Sequence, residues 1–292
     1  MEEHWQAIRP SAPSEAVRYG SPVPFKFGRP GRRRAEAPSA SYEWLAPRSV
    51  PGTRTVEGGF FDAYPDFFST SETSAQPWRL NLRYEAIFGE NRELFDGAGV
   101  LDIASHDGRW SLAAVRTGAR SVVGIEARAD LVEHAARTLD KYGVEESRYR
   151  FVAGDVFDVL ARGGLQADVV LCLGFYYHTL RYNELLTRIR QTGARTVLID
   201  TLVRPDEKEP MLRLFREPTA RQGNAVGDDF SWGDDVLVGR PSMSAMRMMG
   251  EAYGLRLESW SDWGGLLRDN PQADGIRDYR EGRRVTLRFT AA

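Results

Sequence analysis

The sequence is poor in cysteine, in lysine and in long apolar segments. Its 292 residues include one cysteine, Cys172, which excludes an intramolecular disulfide and a zinc site built on several cysteines. No stretch reaches the roughly 18 consecutive apolar residues of a membrane-spanning helix. The N-terminus lacks the basic and apolar regions of a signal peptide. We therefore expect a cytoplasmic protein with no membrane partner.

Lysine is so scarce that arginine supplies 36 of the 39 positive charges. The net charge is −2, but it is unevenly distributed. Residues 1–55 hold nine Lys/Arg against five Asp/Glu (+4), and the remaining residues hold 30 against 36 (−6). An acidic body lacks the basic face that is typical of nucleic-acid binders, so the composition disfavours a nucleic-acid partner.

Residues 1–55 also differ from the rest in their proline content. They contain eight of the 15 prolines and show no apolar periodicity, so they cannot form a core of their own. They nevertheless carry several aromatic residues that a solvated tail would not need. We interpret them as an extended Pro/Arg-rich arm, followed by one domain over residues 56–292.

Predicted strands and helices alternate along that domain. The strands lie at 100–104, 121–125, 149–152, 168–173, 196–201, 255–260 and 284–290. The helices lie at 78–95, 109–117, 130–142, 156–161, 182–191 and 242–253. The stretch of about 204–240 is irregular and rich in Gly, Asp and Pro, and a loop of about 20 residues separates the last two strands. This order predicts an α/β fold, a Rossmann-like, doubly wound sheet of seven mostly parallel strands.

Polar residues follow four of these strands, at the edge where doubly wound sheets bind ligands. The first strand leads into Asp102 and a tight turn that reaches Gly108, and the second ends in Glu126, 24 residues after Asp102. The third leads to Asp155, and the fourth to Leu173-Gly-Phe-Tyr-Tyr-His. A carboxylate, a tight turn and a helix N-terminus predict a nucleotide-type site, with Glu126 placed for ribose hydroxyls.

These motifs resemble the class I S-adenosylmethionine (SAM)-dependent methyltransferases over about residues 80–203. The resemblance implies that the first acid and its loop hold the methionine part of SAM, the second acid the ribose, and the third acid the adenine. Arginine can bind a carboxylate through two parallel hydrogen bonds, which suits Arg83 to the cofactor carboxylate. The cofactor-binding residues implied are Arg83, Asp102, Ala104, Ser105, Gly108, Glu126, Asp155, Val156 and Leu173. The loop departs from the family because Ala104 and His106 stand where glycines are usual.

The fourth and fifth strand ends narrow the resemblance. The segments 173–179 and 197–203 are similar to the branch that contains the tRNA wobble-uridine carboxymethyltransferases, with its "LYH" and "ETLV" patterns. More faintly, the chain resembles actinobacterial sugar O-methyltransferases, including those that act on methylated mannose polysaccharides. The expected activity is SAM-dependent methyl transfer to a hydroxyl of a polar small molecule, a sugar or a glycoside.

A hydroxyl acceptor benefits from a general base, because an alkoxide is costly at neutral pH. His178 is the candidate base, since it follows the fourth strand on the ligand-binding edge. His106 is the alternative, and Tyr177 is expected to line the acceptor pocket. The three predicted catalytic residues are therefore His178, His106 and Tyr177.

The stretch 204–240 is expected to form a lid over the acceptor. Its acidic pairs at 228–229 and 234–235, together with Asp200, are of the type that holds Mg²⁺. The favoured alternative is that these acids are solvated turn formers, so no metal ligand is predicted. Met243, Met246 and Met249 share one helix face, which predicts a core contact or a homodimer face.

Two other functions stay open at this point. An RNA-modifying enzyme of the same fold has only the run Arg29 and 32–34 in its support. A non-catalytic, partner-binding subunit is the second, because the first loop has lost two usual glycines.

Overall fold

The computed structural model describes residues 47–48, 58–71, 76–221, 223–273 and 275–292. Its strands are β1 (Pro47–Arg48), β2 (Gly99–Ile103), β3 (Ser121–Glu126), β4 (Tyr149–Ala153), β5 (Val169–Leu173), β6 (Thr196–Leu202), β7 (Leu212–Pro218), β8 (Asp235–Pro241), β9 (Leu255–Ser261) and β10 (Arg284–Ala291). Its helices are α1 (Asp66–Ser69), α2 (Pro77–Tyr84), α3 (Arg109–Thr117), α4 (Ala129–Lys141), α5 (Val156–Ala161), α6 (Tyr182–Gln191), α7 (Met243–Ala252), α8 (Trp263–Asp269) and α9 (Arg277–Arg280). None of the helices in these ranges is long and apolar enough to cross a bilayer.

The main sheet has the strand order β1-β9-β10-β6-β5-β2-β3-β4. The pairs among β6, β5, β2, β3 and β4 are parallel, and β10 runs antiparallel to both β6 and β9. Apart from the two-residue β1, which pairs in parallel with β9, these are the seven mostly parallel strands predicted. The Rossmann-like α/β fold is confirmed. The strand order reverses direction between β5 and β2, which places the switch point of the sheet there.

Two apolar cores cover the two faces of this sheet. Every residue of β2 and β5 is buried, as expected for strands with helices on both faces. Leu101 belongs to the core beneath α5, α6 and α7, whereas its neighbour Val100 belongs to the core beneath α2 and α3. Met243 and Met246 are buried in the first core, which confirms the core interpretation for these two methionines.

Three predicted segments differ from the structure. The stretch 204–240 is not wholly irregular, because β7 and β8 pair there as a separate antiparallel sheet. The segment between the last two strands holds α8 and α9 rather than a loop. The predicted helix 78–95 ends at Tyr84 and continues as a π-helical turn at Glu85–Gly89 and a 3₁₀ turn at Arg92–Leu94.

The predicted arm lies largely outside the described residues. Within its range 1–55, the structure describes Pro47–Arg48, whose residues pair with Trp260 and Ser261 of β9. The basic run at 29–34 is among the residues outside the description.

Candidate active site

A cavity of about 420 Å³ opens at the carboxyl ends of β2, β3, β4 and β5. Its position beside the switch point is where open α/β sheets bind their ligands. Nine of the predicted site residues line it: Arg83, Ala104, His106, Glu126, Asp155, Val156, Leu173, Tyr177 and His178. Residues that were predicted separately, most of them at four strand ends, therefore line one cavity.

The loop between β2 and α3 keeps a glycine-type backbone without the usual glycines. Ala104 and His106 have φ values of 55° and 51°, and Gly108 has a φ of 79°. An L-residue in this left-handed region is strained by about 1–2 kcal/mol. The loop therefore retains the tight turn that brings backbone close to the cavity, although two side chains oppose it. Strain of this kind is typical of functional loops.

Glu126 fixes that loop from the end of β3. Its carboxylate accepts hydrogen bonds from the backbone N–H of His106 and of Arg128, each at 3.0 Å. The residue is buried, yet it lines the cavity. Glu126 is thus available to a ligand hydroxyl while it holds the turn.

Three predicted cofactor-binding residues, Asp102, Ser105 and Gly108, are not among the residues that line the cavity, although Ala104 and His106 of the same segment are. Asp102 and Ser105 are buried, and Asp102 Oδ1 and Ser105 Oγ have no hydrogen-bond partner among the described residues. Gly108 is the N-cap of α3, and a Cβ there would lie 2.9 Å from Cβ of Ala135 and 3.0 Å from Cζ of Phe151. Gly108 is therefore required for the packing of the loop.

Asp102 sits in an unfavourable place for a charge. Burial, with the nearby carboxylates of Asp107 and Glu126, raises its pKa to about 7, although Ser111 donates a hydrogen bond to Oδ2 at 2.7 Å. An acid that is half ionised at neutral pH and has one free oxygen can accept a hydrogen bond from a ligand. This orphaned atom fits a cofactor that presents N–H donors to the loop.

Asp155 directly precedes α5 and lines the cavity. Its Oδ1 accepts hydrogen bonds from the N–H of Phe157 at 2.8 Å and of Asp158 at 3.2 Å, which makes it the N-cap. Burial raises the pKa of Asp155 despite these bonds. Its neighbours Val156 and Leu173 contribute apolar wall, which suits a planar aromatic base.

His178 forms a close pair with a carboxylate from the insertion. Its Nδ1 lies 2.5 Å from Oε2 of Glu217 on β7, and both side chains are almost buried, with exposed fractions of 11% and 13%. Burial would raise the pKa of Glu217, but the hydrogen bond and charge of His178 and the N–H of Ala225 lower it. Glu217 is therefore an ionised acceptor, and His178 Nδ1 is the donor. No described residue bonds to Nε2 of His178.

The adjacent residues Tyr176 and Tyr177 have different surroundings. Tyr177 lines the cavity, and its ring lies 4.1 Å from the ring of His178. Tyr176 is buried against Tyr182, with ring centroids 4.8 Å apart, and belongs to the core. His106, the alternative base, also lines the cavity, and its Nδ1 lies 3.6 Å from Asp107.

The β7–β8 insertion covers the cavity through polar contacts to the main domain. Arg128 donates to the carbonyl of Asn224 at 3.0 Å, and Arg181 donates to Asp228 at 3.2 Å. The guanidinium of Arg181 also lies 4.7 Å from the ring centroid of Phe230, which is largely exposed. Residues 223–226, 228, 230, 236 and 237 line the cavity, so the insertion is placed as a roof.

The acids considered for Mg²⁺ do not come together. Asp200 is fully buried, and its oxygens are taken up by Arg83, Arg284, Tyr279 and Thr286. No group of three His, Cys, Asp or Glu side chains suited to a metal ion occurs in the described ranges. The prediction of solvated or turn-forming acids fits Asp228, which accepts from Ser231.

Sequence reasoning missed two residues of this site. Glu217 lies 39 positions after His178, on a strand that was not predicted. Arg284 lies at the start of the last strand and lines the cavity. An Arg-rich chain gives no reason to select one arginine, and the alternation of apolar and charged residues before Glu217 covers only 212–214.

Comparison with known proteins agrees with this geometry. Residues 100–193 match a family model described as a methyltransferase domain. Comparison with curated protein sequences gives no match. One similar structure is that of Burkholderia thailandensis 1,6-didemethyltoxoflavin-N1-methyltransferase with 1,6-didemethyltoxoflavin and S-adenosylhomocysteine (SAH) bound. The two sequences are 18% identical, the alignment covers 85% of this chain and 95% of that one, and the TM-score is 0.50. A Listeria monocytogenes protein assigned as a SAM-dependent methyltransferase is 15% identical, covers 72% and 99%, and also has a TM-score of 0.50.

Identities this low show a shared fold alone. The residues that match the methyltransferase-domain model, 100–193, make up about a third of the chain. They contain the β2–α3 loop, Glu126, Asp155 and His178, which all line or support the cavity.

Proposed function

We propose that this protein is a SAM-dependent O-methyltransferase that acts on a hydroxyl of a polar small molecule, a sugar or a glycoside. The pair of His178 and Glu217 at the cavity carries the proposal. Methyl transfer to a neutral amine needs alignment and no base, whereas a hydroxyl must lose its proton. A histidine held by a buried carboxylate is the arrangement that serves the second case.

The cavity residues fit SAM as the cofactor. We assign the methionine part to the β2–α3 loop, with the unpaired atoms of Asp102, Ser105 and Arg83 as partners. Glu126 then meets the ribose hydroxyls, and Asp155 with its apolar neighbours the adenine. Bound SAM would supply a methyl group on a sulfonium, with SAH as the leaving group.

The remaining steps belong to side chains of this chain. Glu217 accepts a hydrogen bond from Nδ1–H of His178 and keeps the ring in one tautomer, so Nε2 is the atom left to take the proton of an acceptor hydroxyl. The negative charge of Glu217 stabilises the imidazolium that results. The two side chains are only 11% and 13% exposed, and this burial strengthens their interaction.

The retained loop conformation argues against a non-catalytic subunit. A chain released from cofactor binding would have no reason to keep Ala104 and His106 in a strained turn. The acidic body argues against an RNA acceptor. We accordingly propose a small-molecule partner and no nucleic acid.

The test is methyl transfer from radiolabelled SAM to a panel of sugars, each paired with the amino sugar of the same ring. We expect transfer to hydroxyls, and His178→Ala should lower it by about a hundredfold with SAH affinity unchanged. His134→Ala, on α4 and away from the cavity lining, is the matched control and should keep full activity. Methyl transfer confined to the amino groups of the amino sugars would refute the proposal. Full activity of His178→Ala would refute it as well.

A further inference from the structure

One wall of the cavity is formed by arginines. Arg79 and Arg83 on α2 and Arg284 at the start of β10 all line it. Arg79 has a counter-charge of its own, because its Nη1 donates to Asp278 at 2.6 Å. The other two arginines share a single carboxylate, that of Asp200.

The shared carboxylate leaves one positive charge uncompensated. Nη2 of Arg83 and Nε of Arg284 both donate to Oδ1 of Asp200, at 3.1 and 2.7 Å. Oδ2 accepts from the hydroxyls of Tyr279 and Thr286, at 2.6 and 2.8 Å. Burial would raise the pKa of Asp200, but the two guanidinium groups outweigh it and hold the pKa far below its usual range. Two cations therefore face one anion.

That excess charge lies at the cavity and out of solvent. Arg284 is buried, and Nε of Arg83 is buried without a hydrogen-bond partner. An uncompensated buried charge is strongly destabilising. An anion in the cavity would complete the arrangement.

The two guanidinium groups have different aromatic neighbours. Arg83 lies over the ring of Trp110, 4.6 Å from its centroid, near the start of α3. Arg284 lies 5.4 Å from the ring of Tyr177, and its Nη1 is 3.4 Å from the Tyr177 hydroxyl. Because Tyr177 packs on His178, Arg284 is the arginine on the side of the base.

We infer that Arg284, together with the hydroxyl of Tyr177, is a binding subsite for a carboxylate of the acceptor. The inference rests on the proposed function and narrows its substrate class to hydroxy acids, such as uronic acids. The acceptor would place its carboxylate on Arg284 and its hydroxyl near His178. Arg83 would hold the carboxylate of the cofactor, and because SAM also carries an ammonium and a sulfonium, its binding would leave the positive excess for the acceptor. A guanidinium recognises a carboxylate through two parallel hydrogen bonds, which also fixes the orientation of the acceptor.

The test uses benzoate and benzamide, which have the same shape and differ in charge. Each is titrated into the full protein saturated with SAH, so that the cofactor carboxylate already occupies its own place. We expect benzoate to bind at least tenfold more tightly than benzamide. Arg284→Lys should weaken benzoate binding about tenfold or more, while Arg288→Met, on the same strand but outside the cavity lining, should leave it unchanged.

Equal binding of the two probes would overturn the inference, and this comparison in the unaltered protein does not depend on how Arg284→Lys folds. Benzoate that binds the free protein but is displaced by SAH would assign the subsite to the cofactor, which also overturns it. Failure of SAH to bind would instead refute the proposed function. Benzoate titrated into the free protein would then still decide whether the anion subsite exists.

Discussion

Replacing the strained residues of the β2–α3 loop by glycine should stabilise the protein. Ala104 and His106 hold φ values of 55° and 51°, where an L-residue is strained by about 1–2 kcal/mol and glycine is not. Part of this gain is offset, because the greater conformational entropy of glycine in the unfolded chain lowers the free energy of unfolding by about 0.4–1 kcal/mol. Ala104 also loses a methyl group that packs partly against the core.

These opposing effects leave a gain of about 0.5 kcal/mol for Ala104→Gly and about 1 kcal/mol for His106→Gly. The two together should raise the melting temperature by about 3–5 °C, since about 1 kcal/mol shifts it by 2–4 °C in domains approaching this size. Ala136→Gly, in the middle of α4, is the control and should destabilise by about 1 kcal/mol.

Differential scanning calorimetry and urea unfolding of the three single variants measure this directly. The reasoning is refuted when both loop variants lose as much stability as the α4 control. A gain in stability joined to weaker SAH binding by His106→Gly would show that the strained side chain is kept for the ligand.

Three further changes test separate contacts. Glu217→Gln should lower kcat by about 10- to 1000-fold in methyl-transfer assays, with KM and SAH affinity unchanged. The reason is that a negative charge near His178, at an effective dielectric of about 20, stabilises the imidazolium by at most about 4 kcal/mol. An unaltered kcat would show that Glu217 does not position His178. Gly108→Ala should destabilise the protein by about 3 kcal/mol in urea unfolding, because of backbone strain and the collision of the new Cβ with Ala135 and Phe151. Gly97→Ala, with a φ of 65° and open space around the new Cβ, should destabilise it by about 1 kcal/mol. Equal losses in the two variants would exclude the collision. Asp102→Asn should flatten the dependence of the free energy of unfolding on pH. The pKa of Asp102 in the folded state, about 7, lies above its unfolded value, so the wild type loses stability relative to the variant as the pH rises from 4 to 8. Parallel pH profiles of the two proteins would contradict this.

The sequence predicts the elements that have strong local signals. The predicted bounds of α3 and α6 agree with the structure, because apolar periodicity and end signals coincide there. The helix predicted at 130–142 is displaced by one residue, since α4 spans Ala129–Lys141 with Arg128 as its N-cap. β7 was missed because its alternation of apolar and charged residues is short and lies beside a Gly- and Asp-rich stretch.

The site was only partly accessible to the same reasoning. Strand ends are local features, so Glu126, Asp155 and His178 could be found one at a time. The pairing of His178 with Glu217, and of Arg83 and Arg284 with Asp200, spans 39 to 117 positions and depends on the folded sheet. Such contacts carry no periodic signal in a single sequence.

The central claim is that the cavity at the strand ends holds SAM, and calorimetric titration with SAH tests it most directly. We predict micromolar binding by the folded protein, and weaker binding by Glu126→Ala, whose carboxylate holds the loop and lines the cavity. Absence of binding in a sample that melts cooperatively would contradict the claim, and so would undiminished affinity in the variant.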